Sequence, residues 1–308
     1  MTLLITHPDA LLHENPPGHP EQVARLKYIL RALEGMDLDR AEATEATDEM
    51  LLRCHPQDYL DKIAAASPQD GWTQLDADTF LSPGTWRAAR LAAGAAVQAV
   101  DAVLDGRCRN AFVAMRPPGH HAETATPMGF CTLGNVAIAA KHALEHHGLA
   151  RVAIVDFDVH HGNGTQDLLW DEDRIMFYST HQSPLWPGTG SPDDVGKFGN
   201  IRNLPLPPGT DGAYFRHIFN DRILQQLHSF VPDLILISAG FDAHAADPLA
   251  QLNWATEDFA WVTERLCDVA AQHCGGRVVS CLEGGYDLDA LAQAVAAHVE
   301  VLRRRGDE

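Results

Sequence analysis

Short apolar and β-branched runs recur along the chain at residues 3–5, 111–115, 152–155, 175–178, 234–238 and 278–282, and each reads as a buried strand. Between them lie stretches with helical periodicity. In residues 20–33, Val23, Leu26, Ile29, Leu30 and Leu33 share one helical face, and Pro20 stands where a helix start tolerates the missing N–H. Ser82, just before Pro83, reads as the N-cap of an Ala-rich helix running to Leu104. Further helices are predicted over 133–146, 211–227, 257–271 and 287–303. Strand and helix alternate throughout, which predicts an α/β fold with a mainly parallel sheet flanked by helices on both faces. No linker-like tract or internal repeat interrupts the alternation, so a single domain over residues 1–308 is expected. The Pro- and Gly-rich stretches 13–20, 183–190 and 204–212 are expected as surface loops around a binding rim.

Composition narrows the class. With 308 residues, 45% of them apolar, the chain has enough material for a sizeable core. A formal charge of −19 argues against binding nucleic acid, because phosphate recognition needs clustered Lys and Arg. The same charge suits a cationic substrate, and equally serves solubility. The six cysteines are scattered without a CxxC pair, as reduced thiols would be. The N-terminus lacks a basic segment followed by an apolar one, and no stretch approaches the length of a membrane span, so a cytoplasmic protein without a membrane partner is expected.

Polar motifs follow four of the predicted strands. They are Arg116-Pro117-Pro118-Gly119-His120-His121, Asp156-Phe157-Asp158-Val159-His160-His161-Gly162-Asn163-Gly164, Ala239-Gly240-Phe241-Asp242-Ala243-His244 and Glu283-Gly284-Gly285-Tyr286-Asp287. In a parallel sheet the loops after strands share one edge, where ligands bind, so the four motifs should converge. Asp156, Asp158 and His160 are spaced by two, which on extended backbone directs all three to one side. With a carboxylate from Asp242, this gives one imidazole and two carboxylates around an open position, the pattern of a catalytic metal site. A lone buried Asp or His is more often a hydrogen-bonded core group, and the coincidence of four motifs reverses that preference.

His120 and His121 sit beside Gly119, where backbone closely approaches a substrate. Imidazole titrates near neutrality, so one of the pair suits taking a proton from the attacking water and passing it to a leaving amine. His161 is read as structural, since alternation turns it away from His160. Asn163 suits orienting a neighbouring imidazole. Tyr286, after two glycines, suits donating to the oxyanion of a tetrahedral intermediate, and a core tyrosine would have little apolar cover there.

Together these motifs, in this order, resemble the histone deacetylase superfamily, which shares the arginase-like α/β fold. Asn163 after His-His-Gly, with Asp242-Ala243-His244 and Asp247-Pro248-Leu249, is similar to the class II branch; the class I branch would carry Asp at the Asn position. The resemblance implies zinc on Asp158, His160 and Asp242, with His121 as general base and acid, His120 as an electrostatic partner held by Asp156, Asn163 orienting His121, and Tyr286 polarising the carbonyl. It further implies an acyl-lysine tunnel lined by Gly129, Phe130 and Trp186, the last where many relatives carry Phe or Tyr. Asp78 would accept hydrogen bonds from a peptide backbone, and a structural potassium ion would lie near Asp156, Asp158, His160 and Ser179.

The implied activity is removal of acetyl or other acyl groups from lysine side chains of proteins or peptides. An acetylpolyamine amidohydrolase is the nearest alternative; Leu249, at the implied tunnel mouth, weighs against it because polyamine-selective relatives can carry an acidic residue there. A noncatalytic acyl-lysine binder would need neither a proton-transfer group nor an oxyanion donor. An arginase-like dimanganese centre lacks enough bridging carboxylates. Oxygen-rich ligation admits iron(II) as well as zinc.

Overall fold

The structure, a computed structural model, describes residues 1–308. Its strands are β1 (Thr2–Thr6), β2 (Asp39–Glu42), β3 (Thr73–Gln74), β4 (Phe80–Leu81), β5 (Asn110–Val113), β6 (Val152–Asp156), β7 (Ile175–Gln182), β8 (Ile201–Leu206), β9 (Leu234–Ala239) and β10 (Val278–Leu282). Eight of them form one sheet in the order β2-β1-β5-β10-β9-β6-β7-β8, with β3 and β4 a separate antiparallel pair. Every pairing in the large sheet is parallel.

All six predicted runs lie in this sheet. The two strands without a predicted run, β2 and β8, are its edges. An edge strand is covered on fewer sides, so it needs no continuous apolar run: β2 reads Asp-Arg-Ala-Glu with alternating exposure, and β8 contains Pro205. Residues 204–206, expected as loop, therefore belong to β8.

The helices are α1 (Val23–Ala32), α2 (Asp48–Leu51), α3 (Gln57–Ala66), α4 (Thr85–Leu104), α5 (Asn135–Glu145), α6 (Asn163–Leu169), α7 (Gly212–Phe219), α8 (Gln225–Phe230), α9 (Thr256–His273) and α10 (Leu288–Gly306). A π-helical turn, Asn220–Leu224, joins α7 to α8. α1 packs on α10 and α10 on α9, while α4 packs on α5; α4 and α10 both lie against β5 from the two faces of the sheet. Asp211 caps α7 by accepting from the Tyr214 N–H at 2.9 Å. Ser82 does not cap α4, which starts after Gly84; its hydroxyl bonds the Leu12 carbonyl and Thr85 instead, tying the segment before α4 to the N-terminal loop. One continuous core of 82 buried apolar residues joins sheet and helices. All six cysteines are free and buried, and no helix is long and apolar enough to cross a membrane.

Candidate active site

The four polar motifs follow β5, β10, β9 and β6, which are consecutive neighbours at the centre of the sheet. Parallel pairing puts their carboxyl ends on one edge, so the motifs meet as expected.

At the centre lie Asp158, His160 and Asp242, whose donor atoms fall within 4.8 Å of one another. His160 Nδ1 is 3.1 Å from both Asp158 Oδ1 and Asp242 Oδ2, and neither carboxylate is exposed. Backbone holds the carboxylates from behind: Gly284 N–H donates to Asp158 Oδ2 at 2.8 Å and Val159 N–H to Asp242 Oδ1 at 2.9 Å. A Cβ at Gly284 would collide with both carboxylates, so only glycine admits this approach. Two dry carboxylates around one imidazole call for a cation, since unpaired buried charge is costly. One nitrogen and two oxygens, with His160 also facing an open cavity, fit a zinc-type ion with a free position.

Asp156 stands apart from this cluster. The chain leaves the strand at Asp156 and bends, so the residues after it are not extended; Asp156 Oδ1 instead accepts from the Asp158 N–H, and Asp158 Oδ1 from the His160 N–H. Alternation along a strand is thus not what brings Asp158 and His160 together. Asp156 Oδ2 is 2.9 Å from His120 Nδ1.

His121 Nδ1 lies 2.8 Å from Asn163 Oδ1, so the ring donates there and leaves Nε2 free to accept a proton. The adjacent histidines are driven apart. Burial opposes charge on His120, yet the Asp158 and Asp156 carboxylates, with Glu283, raise its pKa well above the usual imidazole value. Burial, then the neighbouring His120 and His160, hold His121 well below it. The surroundings thus favour the charged form of one ring and the neutral form of the other, the kind of split that separates acid and base roles in paired titratable groups. His161 bonds Thr189 and Gln166 away from the cluster, a structural placement.

A cavity of about 390 Å³ leads to this centre, with His121, His160 and Tyr286 on its wall. Asp78, Gly129, Phe130, Trp186 and Leu249 line it too, as does His19, which no motif had marked. Gly129 has φ +55°, and a Cβ there would lie 2.5 Å from both the His121 and Trp186 rings, so the wall closes only around glycine. Phe130 itself sits at φ +69°, an unusual conformation for an aromatic residue, with its N–H held by Thr79 Oγ1 at 3.0 Å. Its ring meets Tyr286 edge-on at 5.8 Å. Burial raises the Tyr286 phenol well above its ordinary pKa despite nearby Arg25, keeping it a proton donor.

Behind the motifs lies a support network in which Glu21 and Arg25 carry no local sequence signal. Arg25 donates to the carbonyls of Glu283 and Gly285, both at 2.6 Å, and thereby fixes the turn that carries Tyr286. Glu21 neutralises Arg25 and Arg116, all three fully buried. Glu283 Oε2 accepts from the N–H groups of Gly119 and His120 at 2.7 and 3.1 Å, linking the histidine loop to the tyrosine loop. Asp247 accepts from the N–H groups of Leu249 and Tyr286 at 3.0 and 2.7 Å, linking the cavity mouth to the same tyrosine.

Comparison with known proteins agrees with this geometry. The chain matches the model of the histone deacetylase domain over residues 19–302. It is 40% identical to histone deacetylase 14, chloroplastic, of Arabidopsis thaliana, over 95% of this chain and 75% of that one. It is 38% identical to polyamine deacetylase HDAC10 of Homo sapiens, over 98% of this chain and 48% of that one. The solved HDA15 HD domain superposes with a TM-score of 0.93 at 33% identity, over 98% of this chain and 88% of the other. Fold and sequence thus agree, and the chain belongs to the histone deacetylase family.

Proposed function

We propose that this protein hydrolyses the amide bond between an acetyl or other acyl group and the side-chain amine of lysine in proteins or peptides. The observation that carries this reading is the cavity: an apolar throat of Gly129, Phe130, Trp186 and Leu249 that ends on a base, a hydroxyl donor and a metal-ligating imidazole. A flexible alkyl chain fits the throat and delivers its amide to the polar end.

Zinc, or iron(II), on Asp158, His160 and Asp242 supplies Lewis-acid polarisation of the substrate carbonyl when bound. His121, neutral and oriented by Asn163, takes a proton from the attacking water as the C–O bond forms. The Tyr286 hydroxyl donates to the oxyanion of the tetrahedral intermediate. His121 then returns its proton to the departing nitrogen, the C–N bond breaks, and free amine and carboxylic acid leave. His120, whose charged form is favoured by Asp158 and Asp156, stabilises the negative charge that develops beside it. A structural potassium ion near Asp156, Asp158, His160 and Ser179, and a cytoplasmic setting, belong to the same proposal.

Acetylated polyamine is the second reading. The likeness to a polyamine deacetylase favours it, as does Asp78, a half-buried carboxylate on the cavity wall able to pair with a second ammonium. Leu249, which offers no charge, favours lysine. Metal-quantified enzyme should be assayed side by side on acetyl-lysine peptides, longer acyl-lysines and acetylpolyamines. The highest kcat/KM is expected on an acyl-lysine peptide. Preference for acetylpolyamines would overturn the substrate while sparing the chemistry, and no turnover on any of them would overturn hydrolysis itself.

A further inference from the structure

Away from the catalytic edge, a second group of metal-binding side chains comes together where α4 meets α5. Asp101 lies near the end of α4, His142 lies in the last turn of α5, and His146 and His147 follow directly after that helix. α5 begins just after the loop that carries Gly129 and Phe130; at 1.5 Å per residue its far end stands roughly 16 Å further on. A single oxygen, Asp101 Oδ1, is 2.7 Å from both His142 Nε2 and His147 Nε2. The His146 ring stacks on that of His142 with centroids 4.7 Å apart, and it stands 4.9 Å from that of His147. One donor atom from each of the four residues falls within a 4.8 Å sphere of mutual distances.

We propose that Asp101, His142, His146 and His147 form a second metal site, which takes a divalent transition ion of the zinc, nickel or copper(II) class. Imidazole is the favoured ligand for these ions, and three imidazoles with one carboxylate complete a four-coordinate shell. In such a shell, bonds of about 2.0–2.1 Å place the donors roughly 3.3 Å apart. The present spacing brackets this: the two bonds to Asp101 open slightly and the exposed His146 swings in. His142 and His146 are four residues apart and so share a helix face, which is the geometry that lets one ion bridge them.

Two further observations point to a ligand rather than to a helix cap. His142 is buried with no partner at Nδ1, so its ring is held only through the Nε2 that faces Asp101, the atom a shared ion would take. A cap on α5 would need a single basic group near its last carbonyls, whereas here three rings gather on one carboxylate of another helix. The nearby Glu145 does not compete, since Arg53 engages it at 2.9 Å. The carboxylate is ionised, because its bonds to His142 and His147 outweigh partial burial and hold its pKa down at about 2, and an ion would replace the ring protons it now accepts. An ion here ties α4 to α5, the two helices that back the catalytic loops on one face of the sheet.

The test uses the untagged full chain, dialysed against chelator, loaded with excess zinc, desalted and analysed for metal. The wild type should retain about two equivalents, Asp242→Ala about one, and the double variant His146→Ala with His147→Ala about one. Both substituted histidines are at least partly exposed, so the fold should survive, and the double variant should hydrolyse acyl-lysine at the wild-type rate. Asp101→Asn, which keeps a hydrogen-bond acceptor but loses the charge, should bind the second equivalent at least about tenfold more weakly. About one equivalent in the wild type, or about two in the double variant, would overturn the site whatever the enzyme's substrate proves to be.

Discussion

The chain gathers histidine and aspartate twice, and the two clusters differ in what holds their carboxylates. At the strand ends, Asp158 and Asp242 are dry and gripped from behind by backbone N–H groups of Gly284 and Val159, and a cavity opens onto the imidazole between them. Where α4 meets α5, Asp101 is part-exposed and is reached by side chains. Backbone donors leave a carboxylate no freedom, while side chains on two helices can rearrange. The first arrangement suits chemistry, which needs atoms held to a fraction of an ångström; the second suits binding alone.

Substitution should separate the clusters. The largest effect is expected from Asp242→Ala: turnover falls to background and one metal equivalent is lost, while the helix cluster keeps its own, as metal analysis beside an activity assay would show. Equal loss of activity from the His146, His147 double variant would erase the distinction.

Next comes Glu21→Gln. It leaves Arg25 and Arg116 charged, buried and without a counter-ion, so unfolding stability should fall by about 3–5 kcal/mol in a denaturant titration. Because Arg25 fixes the turn bearing Tyr286, turnover should fall with it, whereas metal content should not.

A smaller effect tests the split between the two histidines. Asn163→Asp places a negative charge 2.8 Å from His121 Nδ1 and should raise that ring's pKa. The base works only when neutral, so activity is lost as pH falls through its pKa. A raised pKa therefore moves the acid limb of the kcat/KM profile to higher pH, with little change on the alkaline side. An acid limb that stays in place would detach His121 from the base role.

The same contrast explains what the sequence disclosed. The central strands are covered on both faces, so each leaves a continuous apolar run; β2 and β8, at the edges, carry polar residues or proline and leave none. The residues of the proposed site were legible because Gly, Pro and His crowd directly after the central strands. Their supports were not: Arg25 meets Gly285 across 260 residues, and Glu21 meets Arg116 across 95. Nothing near either residue marks such a pairing. Likewise the spacing of His142, His146 and His147 is visible at the end of α5 and in the two residues after it, but Asp101, which completes the group, lies 41 residues before His142. Asp156, which the resemblance paired with His120, lies 2.9 Å from that ring, while the alternation argument missed the bend after it.

The central claim is that the strand-end site hydrolyses amides with Tyr286 as oxyanion donor beside an independently held metal. The most direct measurement compares Tyr286→Phe with the wild type at equal, quantified metal content on an acetyl-lysine peptide. The account predicts unchanged metal and a kcat lower by ~100 to 1000 fold. Unchanged kcat in the metal-loaded variant would contradict it.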